Sequence, residues 1–85
     1  MGKSYWFSTK KHAHDIEFRY LRCCNEIAEY ERAGKQAPQS LMDLACRLDE
    51  IRDYMVGACG RPIQLPENLY KVAVDTIGWA ASMRH

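Results

Sequence analysis

Residues 65–85 read LPENLYKVAVDTIGWAASMRH, and this stretch decides which fold the rest of the chain must complete. Advancing about 100° per residue along a helix places apolar side chains on nearly every side and leaves only a narrow polar strip. The inner stripe of this helix is predicted to be Leu69, Val72, Ala73, Thr76, Ala80 and Met83. A helix with so little polar surface needs cover on several sides. It is therefore either the central helix of a small bundle or the contact to a second molecule.

Two earlier segments supply apolar faces for this helix. In the first, Ser8 or Thr9 can cap the start, and apolar residues recur at spacings of three and four, at Ala13, Ile16, Tyr20, Cys23, Ile27 and Tyr30. The second begins near Pro38, carries a candidate capping box from Ser40 to Asp43, and ends near two glycines. Its predicted apolar face consists of Leu41, Leu44, Ala45, Leu48, Ile51, Met55, Val56 and Cys59.

These patterns predict an all-α fold, a small three-helix antiparallel bundle that forms a single domain over residues 1–85. The helices are expected at roughly residues 10–33, 39–58 and 66–84, and no strand is indicated. Residues 1–9 form an N-terminal aromatic and basic arm. The sequence leaves open whether this arm is ordered against the bundle.

Three charged residues interrupt the apolar faces: Glu17, Glu31 and Arg52. Glu17 falls on the apolar side of the first helix, and Arg52 falls within the apolar arc of the second. The aliphatic stem of Arg52 can lie along the core while its guanidinium reaches Asp49 or an acid on a neighbouring helix. The alternative is that Arg52 anchors a partner.

Composition narrows the class of protein. Apolar residues make up 47% and charged residues 27% of the chain, as in an ordinary globular protein. The longest uncharged stretches are far shorter than the roughly 20 residues that span a bilayer, so no membrane contact is predicted. The N-terminus lacks the order of a secretory signal, which favours the cytoplasm.

The four cysteines, at positions 23, 24, 46 and 59, fit no familiar disulfide or zinc pattern and are expected to be reduced.

Catalytic and metal chemistry are not predicted. His12, His14 and Asp15 include good metal ligands, but residues two apart on a helix diverge by about 200°. The two histidines can therefore share a metal only in an extended segment. No nucleophile with a base and an orienting group is identifiable, so we predict a protein that is not an enzyme and needs no cofactor or metal.

The N-terminal arm is the strongest candidate for nucleic-acid binding. Residues 3–12 read KSYWFSTKKH, and the first 14 residues hold three lysines and no acid. Bases can stack on Tyr5, Trp6 and Phe7, while phosphates pair with Lys10 and Lys11. The alternative is that the aromatic rings fold back onto one end of the bundle. A net charge of +1 falls short of the usual basic footprint, so nucleic-acid binding is the less favoured function.

Protein binding fits the sequence better. Exposed aromatic residues and arginines dominate interface energetics, and several lie off the predicted core arcs. The predicted partner-binding residues are Tyr5, Trp6, Phe7, Lys10, Lys11, Phe18, Arg22, Tyr54 and Trp79. We therefore expect a non-enzymatic protein-interaction module that binds and modulates or inhibits another macromolecule, with a homodimer through the third helix. By size and lack of motifs alone, such a chain is typical of phage or mobile-element accessory proteins that act on a host complex. The alternative is a small nucleic-acid-binding regulator that uses the basic arm.

Overall fold

The structure is a computed structural model that describes residues 2–84. This part of the chain contains three helices and a short two-stranded sheet. In chain order the elements are β1 (Ser4–Phe7), α1 (Thr9–Arg32), α2 (Gln39–Met55), β2 (Ile63–Pro66) and α3 (Glu67–Met83). The prediction of a mostly helical chain with three helices is confirmed. α2 ends before the predicted residue 58 because Val56 is extended and Gly57 adopts a φ of 79°, which favours glycine.

The prediction that the chain contains no strand is wrong. β1 and β2 pair antiparallel, with Ser4 opposite Pro66 and Phe7 opposite Ile63. Each strand has four residues, which is too short for a clear alternation of apolar and polar side chains. Aromatic and β-branched residues favour extended backbone, and their pairing orders the N-terminal arm as one strand of the sheet.

The ends of the helices follow the predicted capping only in part. The Ser8 hydroxyl accepts a hydrogen bond of 3.4 Å from the backbone N–H of Lys11, so Ser8 is the N-cap of α1. The predicted capping box of α2 is wrong, because the helix begins at Gln39 and Ser40 lies within it. Asp43 instead accepts a 2.9 Å hydrogen bond from the side-chain amide of Gln39.

The core lies where the three helices meet the sheet. Its largest fully buried side chains come from every helix and from β2: Ile16, Cys23, Leu48, Ile51, Leu65 and Leu69. Four of the six residues predicted for the inner stripe of α3 are buried and Val72 is half-buried, but Met83 is 48% exposed. Met83 is the last residue of α3, where the neighbouring elements cover it incompletely.

Four other residues predicted on apolar faces are exposed. Val56 is 79% exposed and Cys59 is also exposed, because both follow the end of α2 and therefore leave its apolar face. On α1, Tyr30 in the predicted apolar stripe is 37% exposed. Leu21 is 51% exposed and lies about 140° around the helix from Ile16, at the edge of the apolar side. The apolar arc that α1 buries is therefore narrower than its sequence predicts.

Arg52 and Glu17, which interrupt the apolar faces of α2 and α1, pair with each other. The Arg52 Nε donates to Glu17 Oε2 at 2.8 Å, and Nη1 donates to Asp49 Oδ1 at 3.0 Å. The guanidinium also lies 4.3 Å from the centre of the Tyr20 ring. The hydrogen bonds to Glu17 raise the pKa of Arg52 above its ordinary value. Arg52 thus joins α1 to α2, as the first of its two sequence interpretations predicts.

None of the helices within residues 2–84 can span a membrane. Each described helix is too short or too polar to cross a bilayer.

Candidate protein-binding surface

Two helices bring aromatic rings and arginines together on one exposed surface. We call Phe18, Arg19, Arg22 and Trp79 the aromatic–arginine cluster. The ring centres of Phe18 and Trp79 are 5.4 Å apart and inclined at 42°. The guanidinium carbons of Arg19 and Arg22 lie 4.3 Å and 5.9 Å from the centre of the Trp79 ring. These distances are typical of cation–π contacts.

Helix geometry explains why these four residues meet. Phe18 and Arg22 are four residues apart on α1 and therefore stack one turn above the other, with Arg19 beside them. On α3, Ala80 is buried at 2% exposure, which brings the adjacent Trp79 to the edge of the contact with α1. Trp79 is half-buried, whereas Phe18 keeps 37% of its surface exposed and Arg22 is also exposed.

An apolar hollow adjoins the cluster at the C-terminal end of α3. It has a volume of about 270 Å³ and is lined by His14, Phe18, Ala80, Met83 and Arg84. The His14 ring is nearly parallel to the Phe18 ring, with centres 6.4 Å apart. The cluster and the hollow therefore form one continuous surface that combines rings, cations and a recess.

An ion pair between the buried Asp15 and the exposed Arg84 holds this end of α3 against α1. Asp15 is 5% exposed, and its carboxylate accepts a hydrogen bond from the Arg84 guanidinium. His12 Nδ1 lies 3.7 Å from the other carboxylate oxygen. An isolated buried carboxylate is costly, so the Arg84 contact stabilises the position of the end of α3 beside the hollow.

Comparison with known proteins identifies no relative. No protein-family model, curated protein or solved structure matches this chain significantly. The proposed function therefore rests on the residues of the chain itself.

The three consecutive aromatic residues of the arm do not form one surface. Because side chains alternate along a strand, Phe7 is buried at 3% exposure while Trp6 is 67% exposed. The Tyr5 ring stacks on Tyr70 with centres 4.7 Å apart, and its hydroxyl donates to Glu67 at 3.4 Å. Loss of solvent around the hydroxyl, followed by the charge of Glu67, raises the pKa of Tyr5. Two of the three rings therefore pack on the domain, and Trp6 is the one that stays exposed.

The other predicted binding residues are divided between the cluster and separate positions. Phe18, Arg22 and Trp79 come together, whereas Lys10 and Lys11 are exposed near the start of α1. Tyr54 is 47% exposed on α2 and takes part in none of the aromatic contacts found within residues 2–84. Sequence reasoning missed Arg19, although its spacing of three from Arg22, next to Phe18, was a usable signal.

A larger groove lies between α1 and α2, away from the apolar hollow. We call it the distal groove. Its volume is about 650 Å³, and it is lined by Arg19, Glu26, Glu29, Tyr30, Ala33, Lys35, Pro38, Ser40, Leu41 and Leu44. Its lining combines apolar side chains with side chains of both charges. Arg19 borders both this groove and the aromatic–arginine cluster.

All four cysteines are free thiols, and they differ in exposure. Cys23 is buried, and burial raises the pKa of its thiol while Arg19 opposes that shift. Cys46 and Cys59 are exposed. Within residues 2–84, histidine, cysteine and acidic side chains do not gather in groups of three that could hold a metal ion.

Proposed function

We propose that the chain is a non-enzymatic protein-interaction module that binds and modulates or inhibits another macromolecule. The observation that carries this proposal is the aromatic–arginine cluster, in which Phe18, Arg19 and Arg22 surround the Trp79 ring. Action in the cytoplasm on a host complex, as by a phage or mobile-element accessory protein, belongs to the same proposal.

The chemistry of the cluster supports binding. Tryptophan and arginine are enriched among the residues that dominate interface energetics, and these residues usually lie close together. The rings are already held against each other and the arginines lie over the indole, which lowers the entropy lost on association. The four side chains supply neither a nucleophile nor a general base.

Affinity capture with matched aromatic variants tests this proposal. The tagged chain is used to capture proteins from a lysate of its source organism or of that organism's host. F18A and W79A should each weaken capture of a specific partner by about tenfold or more, because truncating an interface aromatic typically costs over 1 kcal/mol. R22E changes an exposed side chain and should have the same effect without disturbing the fold.

Trp6 and Tyr54 provide the controls, since both are exposed aromatic residues outside the cluster. W6A and Y54A should retain the partner, and circular dichroism should give the same helix content for every variant. Full capture by F18A, W79A and R22E would contradict the proposal that this surface binds the partner.

A second candidate function is a small nucleic-acid-binding regulator. Trp6 is 67% exposed on the sheet, and Lys10 and Lys11 are exposed at the start of the adjoining helix, so stacking and phosphate contacts remain possible there. This function predicts binding to single-stranded oligonucleotides that falls steeply with salt and weakens in K10Q/K11Q. Binding that is independent of salt concentration would contradict it.

A homodimer through α3, with the three helices packed antiparallel, also remains part of the proposal. On one flank of α3, the Tyr5 ring packs on Tyr70. On the other flank, the Phe18 ring packs on Trp79. The exposed residues Val74 and Ala81 are the remaining apolar contact for a second copy.

A further inference from the structure

Arg19 and Arg22 differ from the arginines that stabilise the fold. Arg52 is paired with Glu17 and Asp49, and Arg84 is paired with Asp15. By contrast, within residues 2–84 no acidic side chain lies within ion-pair distance of Arg19 or Arg22, and neither guanidinium takes part in a side-chain hydrogen bond.

The position of both guanidiniums over the Trp79 ring prepares them for an anion. A guanidinium stacked on a ring keeps its in-plane N–H groups free, and their fork matches the two oxygens of a carboxylate. The contact with the ring also restricts the side chain before a ligand arrives. Two cations one helical turn apart then attract the same negative group.

The surroundings of the two arginines favour a carboxylate beside an apolar side chain. Phe18 belongs to the cluster and also lines the apolar hollow, which offers about 270 Å³ to such a side chain. The positively charged surface around Arg19 and Arg22 is small, because acidic residues lie near it on both helices. Glu26 and Glu29 follow along α1, and Asp75 lies one turn before Trp79 on α3. A long polyanion such as a nucleic-acid backbone would meet these acids, whereas a single acidic residue would not.

We propose that the aromatic–arginine cluster recognises an acidic protein segment in which a carboxylate, bound by Arg19 and Arg22, neighbours an apolar side chain that enters the hollow. This inference rests on the proposed function and names the chemistry of the partner. The proposed interaction is specific binding of one carboxylate by the two arginines and not a general attraction between the protein and negative charge.

The two tryptophans allow a direct test. In the W6F variant Trp79 is the remaining tryptophan, and in W79F Trp6 serves as the internal control. The probes are a short blocked peptide of glutamates with a single leucine, the same peptide with glutamines, and a short oligodeoxythymidylate. We expect the glutamate peptide to change the fluorescence of Trp79 but not that of Trp6. The glutamine peptide should bind about tenfold more weakly, because its neutral amides cannot form the charge-assisted hydrogen bonds that a carboxylate accepts from a guanidinium.

Arginine variants assign the effect to the cluster. In the W6F chain, R19Q and R22Q should each weaken the glutamate peptide by about tenfold, and R22K should recover only part of the loss, because lysine keeps the charge without the planar fork. R47Q removes an exposed arginine on α2 outside the cluster and should bind the peptide unchanged.

Three results would overturn the inference: equal binding of the glutamine peptide, no response of Trp79 to the glutamate peptide, or tighter and strongly salt-dependent binding of the oligonucleotide. The proposed function fails by a different measurement, when F18A and W79A retain their captured partner. A partner that is lost in those variants but binds R19Q and R22Q normally would leave the proposed function in place and reject carboxylate recognition.

Discussion

At the scale of single residues, the arginines divide into those that hold the fold and those that face a partner. Arg52 and Arg84 each bind a carboxylate of α1, while Arg19 and Arg22 lie over Trp79. The sequence marks Arg52 as unusual because it interrupts an apolar face. Its pairing with Glu17 explains the interruption at each of these two positions, since each charge lies opposite the other between the two helices.

The Arg52 contact predicts a modest, salt-dependent coupling. The side chains of Arg52 and Glu17 are 34% and 45% exposed, so solvent screens their attraction. In a double-mutant cycle of R52Q and E17Q, we expect a coupling free energy of about 0.5 kcal/mol at low salt. R52Q alone should cost about 1 kcal/mol, because it also loses the contact with Tyr20. Urea unfolding followed by circular dichroism measures both values.

R47Q is the matched control for this cycle, because Arg47 is an exposed arginine on the same helix. It should change the free energy of unfolding by less than about 0.5 kcal/mol. A coupling of zero at low salt would mean that the charge pair does not join α1 to α2 in solution.

Among the secondary-structure elements, the small sheet fixes the N-terminal arm against the helices. Phe7 on β1 and Leu65 on β2 enter the core at 3% and 0% exposure. The backbone N–H of Glu67 donates to the Lys3 carbonyl at 3.0 Å, so the start of α3 is tied to the arm as well. The arm therefore positions the helix that carries Trp79.

Substitutions of two neighbouring residues of β1 should have very different effects on stability. F7A should lower the free energy of unfolding by about 3 kcal/mol, because it removes a buried ring and leaves a cavity. W6A should change it by less than about 0.5 kcal/mol, because the Trp6 side chain is largely in solvent. Urea unfolding followed by far-ultraviolet circular dichroism compares the two. Equal effects of F7A and W6A would contradict the order of the arm.

At the scale of the whole molecule, α3 presents different residues to different neighbours. Val74 and Trp79 are five residues apart, which places them about 140° apart around the helix. A second copy bound at Val74 would therefore leave the aromatic–arginine cluster available to another partner. This arrangement makes the proposed homodimer and the proposed binding function compatible.

The homodimer predicts a molar mass in solution twice that of one chain, with dissociation on dilution. V74R should shift the protein to the monomer, because it places a charge in the proposed apolar contact. V56R is the control, since Val56 is 79% exposed in the connection after α2. Size-exclusion chromatography with light scattering measures the mass. A monomer at every concentration, from micromolar to millimolar, would reject the homodimer.

The three helices and much of their buried faces can be predicted from the sequence, because the periodicity along one segment shows which side of a helix meets the core. Glycine and proline placed the connections for the same local reason. The pairing of the two strands, and the contact of Phe18, Arg19 and Arg22 with Trp79, depend on how the chain folds in three dimensions. These contacts join segments that are far apart in the chain. Tyr5 and Glu67, for example, are separated by 62 residues. No local pattern specifies which distant side chains will meet.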